Sequence, residues 1–306
     1  MVTFYRRLPK FDYVTPSSLK EALDLLQTGK PGQYQVYAGG TDVIPKLKAR
    51  LVQTPESLID LKGIPGMDHI QYDDRDGLRI GALATIFSVA HSPVVQEKYP
   101  VLAQAANSIA SVQIQNRGTI VGNLCNAVPS ADSAPGLLCL GAKVVCQSSL
   151  GERVIDLDAF FKGPSETVLE PTEIVTEIQV PPIPDGSRGV YFKLSPRSKM
   201  DLAITGVAVI VGMDNGIFKD VRIGLGAVAP TPIRAIRSEQ RLHGERINDQ
   251  VIEESAKLAA TESKPLDDHR ASAEYRRMMV EVLVKRAIKE TAQGPGRKVR
   301  AEEKMP

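Results

Sequence analysis

The chain has few cysteines, no tryptophan, few aromatic residues and almost no net charge. Its 306 residues include three cysteines, and aromatic residues make up 5% of the total. This small, odd number of cysteines argues against a disulfide framework, and it is below the four thiolates that an iron–sulfur cluster usually takes. A net charge of +2 gives no strongly basic field, which argues against a nucleic-acid partner.

The sequence also lacks long apolar runs and clustered metal ligands. No run approaches the roughly 20 apolar residues of a membrane span, and no apolar segment follows Arg6 and Arg7 as it would in a secretory leader. We therefore expect a cytoplasmic protein without a membrane span. The four histidines are scattered without metal-ligand spacing, so we expect no metal site in this chain.

What is present is typical of a globular protein, with 42% hydrophobic and 24% charged residues. Helix and strand patterns alternate in the first 180 residues, whereas strands precede helices after the proline cluster at 181–186. We therefore predict an α+β protein with a first domain over 1–180, divided near 62 into two subdomains. A second α+β domain over 187–291, with a three-stranded sheet and helices, precedes a disordered tail at 292–306.

A glycine-rich turn follows the first clear strand pattern. Residues 33–38 read as a strand, Gly39-Gly40-Thr41-Asp42 as a turn, and Pro45 as the first turn of a helix. Paired glycines leave backbone amides open to an anion, and the next helix adds its positive end. The same pattern also suits a tight strand-to-helix connection that binds nothing.

A second polar segment spans residues 117–132, where hydroxyl, amide and carboxylate groups alternate with small residues. It has no clear period, and we interpret 119–132 as an extended loop. Such a segment can lie against a flat polar ligand, but it can equally be a surface loop. Its last residue, Asp132, could also be the N-cap of a following helix.

Together the two segments resemble the flavin-binding signatures of FAD subunits in the xanthine dehydrogenase and carbon monoxide dehydrogenase family of molybdenum hydroxylases. In that family the first signature looks like AGGTDL-P, and the second like TIGGN with an aspartate nine residues after the asparagine. This chain has AGGTDVIP from Ala38 to Pro45, and Asn123 stands nine residues before Asp132. The resemblance runs from Phe4 to about Lys289.

The resemblance implies a set of FAD-binding residues. The segment 36–44 would hold the pyrophosphate, Ile109 and Ala110 would line the cavity, and Asp132 would bind the adenosine ribose. Ile174 and Val175 would make apolar contacts, and Lys193 would lie near the isoalloxazine. The implied cofactor-binding residues are Val36, Tyr37, Ala38, Gly39, Gly40, Thr41, Asp42, Val43, Ile44, Ile109, Ala110, Thr119, Gly122, Asn123, Asp132, Ile174, Val175 and Lys193.

One position departs from the family pattern. Val121 stands where the family usually has the first glycine of a pair, and a β-branched residue disfavours positive φ. The turn is therefore either reshaped or independent of that glycine. No histidine or cysteine stands where a covalent flavin link is expected, so the resemblance implies non-covalent FAD. Cys125, inside the second signature, reads as a small wall residue.

The resemblance implies a vanillyl-alcohol-oxidase-type fold and an electron-transfer role without catalytic residues in this chain. A large partner would carry a molybdenum cofactor, and a small partner would carry two [2Fe-2S] clusters. Electrons would pass through FAD to NAD+ or another acceptor, in an assembly that could be a dimer of heterotrimers. The alternatives are a free-standing flavin oxidoreductase of the same fold and a nucleotide-binding scaffold protein.

Overall fold

The fold is α+β, as the sequence predicted. The computed structural model describes residues 7–293. The tail predicted from residue 292 lies outside the described residues beyond 293, and its first two residues belong to the last helix. No helix in the described part of the chain is both long and apolar enough to cross a membrane.

Residues 12–60 form a small parallel sheet with strand order β1-β3-β2, together with two helices. Ser18 caps the first helix by accepting a hydrogen bond from the Glu21 amide. The elements are β1 (Asp12–Val14), α1 (Leu19–Thr28), β2 (Tyr34–Tyr37), α2 (Val43–Ala49) and β3 (Ser57–Asp60).

A five-stranded antiparallel sheet follows, in the order β4-β5-β10-β6-β7, together with six short helices. Its strands are β4 (Ile70–Asp73), β5 (Gly77–Gly81), β6 (Lys143–Ser148), β7 (Gly151–Asp156) and β10 (Ile174–Val180). The helices are α3 (Ile86–His91), α4 (Pro93–Lys98), α5 (Pro100–Asn107), α6 (Val112–Gln115), α7 (Ile120–Cys125) and α8 (Ser133–Cys139). A separate hairpin consists of β8 (Phe161–Gly163) and β9 (Glu166–Thr167).

The last sheet has four strands, one more than the sequence predicted. The additional strand is only two residues long and follows two prolines, so its sequence resembles the start of a helix. The strands are β11 (Arg188–Leu194), β12 (Thr205–Asp214), β13 (Ile217–Gly226) and β14 (Ile233–Arg234). The helices are α9 (Ile236–Leu242), α10 (Asp249–Glu262) and α11 (Ala273–Gln293).

Strand β12 is buried on both faces, which explains its continuous apolar sequence. Val207, Val209 and Val211 pack with the hydrophobic side chains of α10 and α11. Ala208 and Ile210 point the other way and join the core of the first 180 residues. Because side chains alternate along a strand, this one strand connects two hydrophobic cores and fixes the last sheet against α5 and α8.

Candidate functional site

The turn after β2 carries backbone amides without internal acceptors. Among the described residues, nothing accepts a hydrogen bond from the amides of Gly40, Thr41, Asp42 or Val43. These amides lie immediately before and at the start of α2, and Gly40 has φ +74°. Successive free amides next to the positive end of a helix can bind an anion such as a phosphate.

The second polar segment packs directly on this turn. A Cβ atom at Gly39 would lie 2.0 Å from the carbonyl oxygen of Arg117, so only glycine allows the two backbones to approach this closely. Asn126 Nδ2 donates to Asp42 Oδ1 at 2.8 Å. Lys46 Nζ donates to the other polar atom of the same amide, Asn126 Oδ1. The structure therefore brings together two segments about 80 residues apart.

The prediction of an extended loop over 119–132 is wrong for its first half. Thr119 Oγ1 accepts the Gly122 amide at 2.9 Å and caps α7. Ile120, Val121 and Leu124 then point into the core. A helix of six residues is too short to produce a recognisable period in the sequence, and the N-cap threonine was its only local signal.

Val121 occupies an ordinary position inside α7. The φ angle of Val121 is not positive, and its side chain is buried. The family's glycine at this position is therefore not needed for backbone conformation in this chain. Gly122, the next residue, would place a Cβ atom 2.9 Å from Thr119 Oγ1, so it leaves space for the capping hydroxyl.

A buried ion pair joins Asp132 to the last sheet. Lys193 Nζ lies 2.8 Å from Asp132 Oδ2, and the two side chains are 6% and 7% exposed. Tyr191 donates its hydroxyl to Asp132 Oδ1 at 2.8 Å. Lys193 also donates to the carbonyl oxygens of Ser108 and Lys199, both at 3.0 Å. Burial raises the pKa of Asp132, and the adjacent ammonium opposes that rise.

This arrangement changes the interpretation of both charged residues. The Asp132 side chain caps no helix, because it makes no hydrogen bond to the first turn of α8. Lys193 is buried on β11, and three acceptors surround its ammonium. The predicted roles at the ribose and at the isoalloxazine would place the two residues at distant parts of one FAD, yet they are in contact. Their assignment to particular parts of FAD stays a prediction.

The apolar residues predicted to contact the cofactor lie in two places, at the end of α5 and on β10. Ile109 is buried just beyond the end of α5, and Ala110 follows it with φ +47°. Ile174 and Val175 lie on β10 with exposures of 2% and 5%, so a cofactor could touch only a small part of either side chain. Thr119, Gly122 and Asn123 all belong to the start of α7.

Several residues of this region escaped the sequence reasoning. Asn126, Lys46 and Tyr191 make the contacts described above, and Gln104 Oε1 accepts the Tyr191 amide at 2.8 Å. Tyr191 had one available signal, its position two residues before Lys193 on the same face of a strand. For the others no local pattern exists, because their partners are 80 or more residues away.

Two family models match the chain in succession. The FAD binding domain in molybdopterin dehydrogenase matches residues 9–183, and the CO dehydrogenase flavoprotein C-terminal domain matches 190–291. The chain belongs to the FAD-binding subunits of the molybdenum hydroxylase family. It is 35% identical to the carbon monoxide dehydrogenase medium chain of Hydrogenophaga pseudoflava, over 92% of this chain and 96% of that one.

Other family members are similarly close. The glyceraldehyde dehydrogenase medium chain of Sulfolobus acidocaldarius is 33% identical, over 93% of this chain and 99% of that one. A solved Hydrogenophaga pseudoflava carbon monoxide dehydrogenase chain superposes with a TM-score of 0.89 at 35% identity, covering 93% of this chain and 98% of that chain. The chain is thus an oxidoreductase subunit with FAD as its cofactor, and the domain limits near 180 and 187 stay predictions.

The site has features that suit the binding of FAD. Free amides at the glycine turn match the negative charge of a pyrophosphate. Cys125, the cysteine in the second segment, is a poor nucleophile because burial raises the pKa of its thiol to about 12. Within residues 7–293 no group of three or more His, Cys, Asp and Glu side chains could hold a metal ion.

Proposed function

We propose that this chain is the electron-transfer subunit of a multi-subunit molybdenum hydroxylase. Bound FAD accepts and releases electrons singly or in pairs, and the protein positions the ring and tunes its potential. Electrons would arrive from [2Fe-2S] clusters on a small partner and leave to NAD+ or another acceptor. The substrate would be oxidised at a molybdenum cofactor on a large partner.

The observation that carries this proposal is the contact between the glycine turn and the second polar segment. In this proposal the amides of Gly40, Thr41 and Asp42 bind the pyrophosphate, and Thr119, Gly122 and Asn123 at the start of α7 contact the cofactor. Asp132, paired with Lys193 of the last sheet, would bind another part of it. These residues would bind and orient a cofactor, and we assign none of them as a general acid or base in substrate oxidation.

The names of the relatives support the proposed partners. Several of them are described as medium chains or medium subunits of dehydrogenases and hydroxylases, which supports an assembly with a large and a small chain. We include in the proposal a dimer of heterotrimers and a cytoplasmic location.

Stopped-flow absorbance of the flavin tests whether its reduction by substrate requires the partner chains. We expect no rapid flavin reduction when the isolated chain is mixed with purines, aldehydes, carbon monoxide or aromatic heterocycles. Partner chains with molybdenum cofactor and [2Fe-2S] clusters should restore reduction by the substrate of the complex. Rapid reduction of the isolated chain would instead support a free-standing oxidoreductase of this fold.

The scaffold alternative makes a different prediction. A chain that had lost its cofactor would purify colourless and would bind no FAD after incubation with an excess of it. Equilibrium dialysis with FAD, followed by an absorption spectrum, distinguishes this alternative from both flavoenzyme hypotheses.

A further inference from the structure

A group of charged and aromatic side chains lies beside the glycine turn, at the carboxyl ends of β2 and β3. Tyr37 and Asp60 are paired in register across these two parallel strands. Lys62 follows two residues later, in the short 3-10 helix Leu61–Gly63. Tyr13 meets the Tyr37 ring edge-on, with ring centroids 6.1 Å apart. None of these contacts involves the second polar segment.

The Lys62 ammonium has three partners in this group, although the lysine side chain is 35% exposed. Its Nζ lies 2.6 Å from Asp60 Oδ1 and 3.2 Å from the carbonyl oxygen of Ala38. It also stands 4.0 Å from the centroid of the Tyr37 ring, well within the distance of a cation–π contact. Asp60 pairs with this ammonium at close range, which offsets part of its charge.

Asp60 holds the lysine in this place. Its side chain is 6% exposed, and its other oxygen, Oδ2, accepts a hydrogen bond from the Tyr13 hydroxyl. Burial disfavours the charged carboxylate, yet hydrogen bonds from Lys62 and Tyr13 outweigh burial and lower the pKa of Asp60.

The Tyr37 ring in turn supports the glycine turn. A Cβ atom at Gly40 would lie 2.3 Å from Tyr37 Cε2 and 2.7 Å from the hydroxyl oxygen. The ring therefore packs directly against Gly40, whose positive φ directs the following amides. Ala38, whose carbonyl Lys62 holds, begins the same turn. Lys62 thus contacts the turn directly at the Ala38 carbonyl. It also contacts the Tyr37 ring, which in turn packs on Gly40.

We propose that Lys62 is a positioning residue for the pyrophosphate turn, acting through the Tyr37 ring and the Ala38 carbonyl. This inference rests on the proposed location of the pyrophosphate at residues 36–44. A tyrosine side chain can rotate away from the backbone, and the ammonium restrains it by attraction to the ring face. The turn then presents its amides in a fixed arrangement before FAD arrives, which lowers the entropic cost of binding.

The test compares FAD dissociation constants of full-length, flavin-free variants by fluorescence titration. Lys62→Met should raise the dissociation constant about five- to ten-fold, as expected for losing one partly exposed cation–π contact and one hydrogen bond. Lys62→Arg keeps a cation over the ring and should recover most of the affinity. Lys98→Met is the matched control, because Lys98 stands 6.0 Å from the Tyr72 ring, away from the turn.

A double-mutant cycle separates positioning from general stability. If Lys62 acts through the ring, Tyr37→Leu and Lys62→Met should be strongly non-additive, since the second change removes a contact already lost. Wild-type affinity in Lys62→Met, equal weakness in Lys62→Arg, or additive effects would each overturn the proposal. Lys62→Gln, which keeps a donor for Ala38, replaces Lys62→Met if that variant does not fold.

One further variant distinguishes failure of the proposed role of Lys62 from failure of the proposed pyrophosphate site. Wild-type FAD affinity in Gly40→Val would show that the turn does not hold the pyrophosphate, and both ideas would fail. Loss of FAD in Gly40→Val with normal binding by Lys62→Met would leave the site intact and remove only the role of Lys62.

Discussion

Gly40 is the residue whose replacement tests the pyrophosphate turn most directly. Valine would strain a backbone at φ +74° and would place its Cβ atom against the Tyr37 ring, so we expect Gly40→Val to lose FAD during purification. Gly32→Val is the matched control, because Gly32 has φ +77° and a Cβ atom there would meet nothing within 4 Å. The flavin-to-protein absorbance ratio measures the outcome. Equal ratios in Gly40→Val and wild type, with both folded, contradict the assignment.

Asp132 combines a predicted cofactor contact with an internal ion pair. Asp132→Ala leaves the Lys193 ammonium and the Tyr191 hydroxyl without their carboxylate partner. Breaking a buried pair in this way costs about 3–5 kcal/mol of folding free energy, and a lost hydrogen bond to a charged group weakens FAD retention by about 1–3 kcal/mol. Urea denaturation of the flavin-free protein measures the loss of folding free energy.

A second substitution separates the effect of Asp132 on folding stability from its effect on FAD retention. Asp132→Ala with Lys193→Met removes both charges, so much of the stability should return while FAD retention stays weak. Unchanged urea midpoints in the single variant would mean that the ion pair contributes nothing to folding.

At the scale of elements, the five-stranded sheet contains a buried carboxylate on its central strand β10. Glu177 accepts from Arg79 Nε at 2.9 Å and Gln179 Nε2 at 3.0 Å, and His69 Nε2 lies 2.8 Å from it. Burial opposes the charge, but these partners outweigh burial and lower the pKa of Glu177 from its ordinary value of 4.5. Its contribution to stability is therefore complete above about pH 4.5 and is lost as the pH falls further.

The lowered pKa of Glu177 predicts how the stability of the protein depends on pH. We expect the wild-type melting temperature to fall below pH 4.5, and Glu177→Gln to show a shallower fall from a lower starting value. Glu166→Gln, an exposed position on β9, is the control and should reproduce the wild-type slope. Identical slopes in all three proteins would exclude Glu177 as the titrating group.

The elements also show where sequence reasoning succeeds. Helix α1 was predictable because Ser18 and an apolar stripe are local signals. Helix α7 was missed because six residues hold too little pattern, and β14 because two residues after prolines resemble a helix start. The two flavin segments were recognisable as motifs, but the Asp42–Asn126 and Asp132–Lys193 contacts depend on tertiary packing that no local pattern encodes.

For the whole molecule, the environment of the half-buried Cys125 bears on how FAD is held. Cys125 is half-buried, and desolvation raises the pKa of its thiol, which disfavours the thiolate that would attack a flavin. We therefore expect acid precipitation to release all flavin into the supernatant, measured by its absorbance. Flavin in the washed pellet would indicate a covalent link and contradict this expectation.

The Asp132–Lys193 pair has a consequence for synthesis of the chain. Its members are 61 residues apart, so at about 5–20 residues per second Lys193 leaves the ribosome roughly 3–12 s after Asp132. The glycine turn and α7 both precede Asp132 and are outside the ribosome first. The nascent chain can thus pair its two flavin segments before β11 exists, and it can complete the region around Asp132 only after β11 has emerged.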